Sequence, residues 1–148
     1  MEQNSELPLS ATHEVRDACL CLHVQRAARA LARRFDEVLR PLGVSQGQFS
    51  LLISLNRPEP PTIGSVANLL AMDRTTLTAN LKPLQRRGLL KIAIDKGDKR
   101  SRRLSLTAAG RALVAKAFPV WKDAHAETEK LLVGMRADDL RSALRALA

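Results

Sequence analysis

The stretch AMDRTTLTANLKPLQRRGLLKIAIDKGDKRSRRLSLTAAG, residues 71–110, leaves the chain the least conformational freedom. Asp73 offers a side-chain oxygen to the free N–H groups of a helical first turn. Behind it Leu77, Leu81 and Leu84 recur at helical spacing across residues 74–87, and Gly88 ends the run. The face opposite these leucines carries Thr75, Ala79, Lys82 and Arg86. Residues 89–94 then read as a strand, 95–102 as a polar hairpin tip and 103–106 as the returning strand. Pro83 falls inside the helical run, where a proline forfeits a hydrogen bond and costs about 3 kcal/mol. The sequence leaves open whether the helix bends there or packing absorbs the cost.

Charge is concentrated on the same stretch. From Arg74 to Arg103 there are ten cations and two anions, +8 of a formal net charge of +9. The surplus is therefore local. A basic hairpin can be no more than a solvated surface. Behind a helix with short polar side chains on its free face, it has a shape suited to double-stranded DNA. The helix would fill a major groove while the hairpin reaches the neighbouring minor groove.

Asp98-x-Arg100 followed by Leu104-x-Leu106-Thr107-x-x-Gly110 resembles the wing signature of the MarR family of bacterial winged-helix transcription regulators. The runs DRTTLT at 73–78 and RRGL at 86–89 fit the same family, and the similarity extends over residues 19–132. The resemblance implies a homodimer in which Arg100, steadied by Asp98, enters the minor groove while the helix from Arg74 reads a major groove. It also implies repression rather than activation, with release by an effector. The candidate DNA-binding residues are Arg74, Thr75, Thr76, Thr78, Lys82, Arg86, Asp98, Lys99, Arg100 and Arg102.

The rest of the chain fits around this centre. Residues 1–12 are polar, contain Pro8, and are expected to fray. Residues 13–39 read as one long helix with Leu20, Val24, Ala27, Ala28, Leu31, Phe35 and Val38 along an apolar stripe, ended by Pro41 and Gly43. Ser45 caps a second helix, 46–56, whose expected buried side is Phe49, Leu52, Ile53 and Leu55. RPEPP at 57–61 makes a rigid loop. Thr62 or Gly64 opens a short helix carrying Val66, Leu69 and Leu70, and a three-residue turn then leads to the helix at Arg74, a helix-turn-helix arrangement. Thr107 caps a long helix, 108–133, that Pro119 should kink. Gly134 breaks the chain before a last helix, 137–148, with Asp138 and Asp139 at its positive end.

The expected architecture is thus α+β and mostly helical. It is a single domain over 1–148, with a winged helix-turn-helix at 45–107 and dimerisation helices at 12–42 and 108–148. A length of 148 residues and 45% hydrophobic composition suffice for a core and exclude a disordered chain. With 3% aromatics and no Tyr, stacking platforms for single-stranded nucleic acid are missing. No apolar run approaches bilayer length and the first residues lack a signal-peptide pattern, so the expected location is cytoplasmic.

Catalysis finds no support. His13, His23 and His125 are dispersed, and there is no metal-binding, phosphate-loop or nucleophile-elbow motif, so neither enzyme activity nor a cofactor or metal is expected. The alternative within nucleic-acid binding is a sequence-indifferent architectural protein, which has little use for threonines on a helix-turn-helix. Cys19 and Cys21, two apart in an expected helix, point in nearly opposite directions, which disfavours a disulfide between them. Two readings stand at Cys21. It is a small apolar side chain beside the stripe, or a reactive thiol resembling that of the organic-hydroperoxide-sensing branch of the family. The tyrosines of that branch have no counterpart here. A small aromatic or phenolic effector between dimer layer and reading head is equally compatible with the resemblance.

Overall fold

A computed structural model describes residues 6–148, so residues 1–5 of the expected polar lead lie outside the described part. Each helix start has a local cause. α1 (Leu9–Ala18) begins behind Pro8, whose fixed φ and missing N–H suit a helix entry. α3 (Gln46–Ser54) opens on a capping box: Gln48 N–H donates to Ser45 Oγ at 3.1 Å and Ser45 N–H to Gln48 Oε1 at 3.1 Å. Thr62 caps α4 (Ile63–Leu69), Asp73 caps α5 (Arg74–Arg86) and Thr107 caps α6 (Ala108–Glu129). α7 (Ala137–Ala146) has Asp138 and Asp139 in its first turn.

The expected single helix over 13–39 is two helices, α1 and α2 (Leu20–Leu39), and residues 9–12 are already helical. Cys19 adopts an extended conformation between them (φ −70°, ψ 108°). Its Sγ accepts the N–H of Leu22 at 3.4 Å and its carbonyl that of His23 at 3.1 Å. The thiol occupies the place an N-cap oxygen takes elsewhere. Because Cys19 stands outside the helix, the helical geometry used against a Cys19–Cys21 disulfide does not apply. Cys21 is exposed, so it is not a buried apolar filler.

By packing, the chain divides into two compact units, Met1–Arg34 and Phe35–Ala148. In the first, the apolar side chains are largely solvent-facing: Leu9, Val15, Leu20, Val24 and Leu31 are all exposed. The second holds the core. Leu77, Leu81 and Leu84 of α5 are completely buried, each contributing roughly 1.5–3 kcal/mol. They pack in one cluster with Leu52 and Val66 and with the wing strands' Leu90 and Leu104. Leu51 joins this core and Ile53 is only half-buried, which shifts the expected face of α3. Leu69, expected inside, is 59% exposed: α4 buries Val66 and Ala67, with Ile63 and the capping Leu70 half-buried beside them, and Leu69 lies off that side. Trp121 of α6 stacks on Phe49 at 6.2 Å between ring centroids and on His125 at 4.8 Å.

α5 and α6 run on through Pro83 and Pro119. Pro83 lacks the N–H that the carbonyl of Ala79 would receive, so α5 continues with that one hydrogen bond missing. Two helices end in the same way. After α5, Gly88 (φ 69°) donates to Gln85 O at 2.9 Å and Leu89 N–H to Leu84 O at 3.0 Å. After α4, Ala71 (φ 49°) donates to Asn68 O at 3.2 Å and Met72 N–H to Ala67 O at 2.9 Å. The turn of the helix-turn-helix thus places a non-glycine residue in the left-handed region.

β1 (Leu90–Ile94) and β2 (Arg102–Leu106) form a two-stranded antiparallel sheet in register Leu90↔Leu106 to Ile94↔Arg102. Its base is fixed to α6. Thr107 Oγ1 donates to Gly88 O at 2.6 Å and accepts from Gly110 N–H at 3.0 Å. A Cβ at Gly110 would overlap the carbonyl oxygen of Leu89. That close approach is the physical content of Thr107-x-x-Gly110. No helix among the described residues is long and apolar enough to cross a membrane.

Candidate nucleic-acid interface

The buried leucines orient α5. With Leu77, Leu81 and Leu84 facing the core, helical geometry turns Thr75, Ala79, Lys82 and Arg86 outward, and all four are exposed. The three threonines of the first turns differ in how their hydroxyls are used. Thr76 Oγ1 donates to Asp73 Oδ2 at 2.6 Å, and its N–H donates to Asp73 Oδ1 at 2.8 Å. These bonds hold the Asp73 carboxyl below the usual carboxylate range, the Thr76 hydroxyl contributing most. Thr78 Oγ1 donates back to Arg74 O at 2.7 Å. The Thr75 hydroxyl has no protein partner among the described residues, so its proton is available to a ligand. The Arg74 guanidinium lies over Gly64, so a Cβ there would displace only the end of that side chain.

The tip, residues 95–101, is built by its own carboxylates. Asp98 Oδ1 accepts the N–H of Arg100 at 2.9 Å, and Ser101 N–H donates to Asp98 O at 2.9 Å. Asp98 therefore holds Arg100 through the main chain and leaves its guanidinium free. Arg102, itself exposed, folds back onto the tip, donating to Lys99 O at 3.0 Å and Ser101 O at 3.2 Å. Lys96, Lys99 and Arg100 are exposed and in no ion pair among the described residues. The structure thus places Thr75, Lys82 and Arg86 on one free helix face and Lys99 and Arg100 on the wing tip. Thr76, Thr78 and Arg102 are bonded within the protein.

Sequence reasoning passed over Arg103, which it counted only as a charge. Its Nη1 donates to Pro60 O at 2.9 Å and its Nη2 to Asp95 Oδ2 at 3.3 Å. This guanidinium, with the N–H of Gly97, holds the Asp95 carboxyl below the usual range. The signal available in sequence was an acid and a base at facing ends of a hairpin; the Pro60 partner had none. No cluster of metal-binding side chains occurs among the described residues.

Helix-turn-helix followed by a two-stranded wing, with cations on both reading elements, defines a winged-helix nucleic-acid-binding protein. The MarR family model matches residues 44–101, from the loop before α3 to the wing tip. The chain is 31% identical over 132 residues to the HTH-type transcriptional regulator TtmR of Methylorubrum extorquens, covering 89% of this chain and 65% of that one. The M. tuberculosis transcriptional regulator MosR, solved in complex with DNA, is 36% identical with a TM-score of 0.79, covering 87% of this chain and 92% of that one. The organic hydroperoxide resistance transcriptional regulator of Bacillus subtilis is 29% identical over 101 residues, covering 68% of this chain and 69% of the relative. The chain belongs to the MarR family of transcription regulators. It spans just under two thirds of the length of TtmR, 65%.

Proposed function

We propose that this chain binds an inverted-repeat DNA operator as a homodimer in the cytoplasm and represses transcription until an effector releases it. One observation carries the reading: the free face of α5 and the wing tip both present hydrogen-bonding side chains with no partner among the described residues. Thr75 and Lys82 stand where base edges of a major groove come within reach, and Arg100 where a guanidinium can enter a minor groove. Arg74, Arg86, Lys99 and Arg102 supply positive charge for phosphates. Thr76, Thr78 and Asp98 hold the helix start and the wing tip in shape. The DNA complex of MosR supports the same choice of partner. Exposed apolar side chains, Val24 and Leu31 on α2, Leu144 on α7 and Leu147 just past it, offer a second copy surface to cover.

Nuclease protection by the purified protein, followed by binding isotherms on the protected fragment and on random duplex, tests the reading. The expected result is a protected inverted repeat with half-site centres about one helical turn, roughly 10 bp, apart. Equal affinity for the fragment and random duplex would overturn sequence-specific binding in favour of an architectural role.

For release, the exposed thiol of Cys21 favours an oxidant. Its sulfur would attack a peroxide oxygen as the thiolate, giving a sulfenic acid and releasing an alcohol or water. Cys21→Ser would keep DNA binding and lose peroxide-driven release, while Cys19→Ser would not. Release of the Cys21→Ser variant by peroxide would move the oxidised group away from Cys21, and a parent that stays on DNA in peroxide would shift the effector role to a small molecule.

A further inference from the structure

Arg103 faces the end of the 57–61 loop, where two successive residues carry carbonyl acceptors and no backbone donor. Pro60 and Pro61 have no N–H, and their fixed φ angles stiffen the 57–61 segment. Both of their carbonyls are used from the wing: Pro60 O by the Arg103 guanidinium and Pro61 O by the N–H of Leu104 at 2.9 Å. Thr62 pairs with Arg103 as an isolated antiparallel bridge, so the loop runs as a partial third strand beside the wing. On its other side the guanidinium meets Asp95, the residue where β1 passes into the tip. Asp95 is the better shielded partner, its side chain 19% exposed against 40% for Arg103. The Asp95 N–H donates to Ser101 O at 3.1 Å and its Oδ1 accepts from Gly97 N–H at 3.3 Å, closing the tip above the clasp.

We infer that Arg103 is the positioning residue of the wing, clasping the hairpin to the Pro60–Pro61 loop and to Asp95 and so setting where Arg100 meets DNA. This rests on the DNA-binding reading above. An arginine on a wing strand could instead be spent directly on a phosphate, and the two roles differ in salt dependence. A phosphate contact contributes about 0.9 to the slope of log affinity against log salt. A clasp contributes nothing to that slope and acts through the order of the free protein.

The test uses the full chain and the variants Arg103→Met, Arg103→Lys, Asp95→Asn and the double Arg103→Met/Asp95→Asn. Without DNA, hydrogen exchange at the N–H groups of Leu104 and Asp95 should quicken about tenfold in Arg103→Met and in Asp95→Asn, with α5 and α6 unchanged. On operator DNA both single variants should bind about three- to tenfold more weakly with the parent's salt slope. The double variant should be no weaker than the weaker single, and Arg103→Lys should recover part of the loss. Unchanged exchange in Arg103→Met, a slope reduced by about 0.9, or additive losses would overturn the clasp. The Asp95→Asn variant keeps the test open if Arg103→Met fails to fold. If the parent prefers no duplex, the DNA-binding reading falls, while the exchange measurement still decides whether Arg103 holds the wing.

Discussion

At Thr75, Thr76 and Thr78 three chemically identical hydroxyls have three different fates, and the difference assigns their roles. Thr76 completes the cap on Asp73 and Thr78 closes onto Arg74 O, whereas Thr75 keeps its proton on the exposed face. Thr75→Ala should therefore relax base preference by about 1–3 kcal/mol of discrimination at one operator position, with thermal stability and salt slope unchanged. Thr76→Ala should lower thermal stability and leave the base preference as it was. Isotherms on single-base operator variants, paired with thermal melts, read both. A loss of discrimination in Thr76→Ala alone would reverse the assignment. A second expectation at this scale concerns acid. Arg103 and the Gly97 N–H favour the charged form of Asp95, so its folded value lies below the ordinary 3.9 or so. The pairing contributes fully above the ordinary carboxylate range and is lost as pH falls through the lowered value. Amide resonances of Gly97 and Arg103 should titrate together with a midpoint under the ordinary one. A midpoint at or above it would mean that the carboxyl is unpaired in solution. Sequence could supply which residues cluster here, but not which hydroxyl or guanidinium is free, because those bonds depend on side-chain directions that spacing does not specify.

Among the elements, the ends of α4 and α5 use one hydrogen-bond pattern with different residues. Gly88 announces its turn, whereas Ala71 does not, since alanine is a helix former with no preference for positive φ. Ala71→Gly should raise stability by up to about 1 kcal/mol, the relieved left-handed strain outweighing the added chain entropy. Gly110→Ala should do the reverse, costing roughly 1–3 kcal/mol as α6 is pushed off the Leu89 carbonyl. Urea unfolding of the two variants gives both numbers, and a neutral Gly110→Ala would mean the wing base is looser than the structure shows. These two positions also show what was legible. α3, α5, the wing and the start of α6 were readable because leucine spacing agrees with cap residues of ordinary type: Ser45, Asp73, Gly88 and Thr107. The break between α1 and α2 was not, because a cysteine sulfur caps it and cysteine carries no such signal. Leu69 misled because the run Val66–Leu69–Leu70 fits a helical period in two ways, and only packing selects Ala67 over Leu69.

Across the whole molecule, apolar surface and positive charge are segregated along the chain. α2 leaves Leu20, Val24 and Leu31 in solvent, and the link between α6 and α7 leaves Leu131, Val133 and Met135. In the proposed dimer these positions are covered by a partner. Val24→Glu with Leu31→Glu should then weaken self-association severely, since each buried apolar side chain contributes about 1.5–3 kcal/mol and each carboxylate adds a desolvation cost. Sedimentation at several concentrations measures it, and an unchanged dimer would place the interface on other surfaces. The charge, by contrast, is collected between Arg74 and Arg103, where +8 of the total +9 resides. That concentration bears on how a target is found in a genome. The basic stretch will be captured by any duplex before a single base has been read, because attraction to phosphate is indifferent to sequence. Search then proceeds along the polymer by sliding and hopping rather than through bulk solvent. The rate of operator capture should accordingly climb as flanking DNA is lengthened, and that gain should vanish as salt strips the protein from the track.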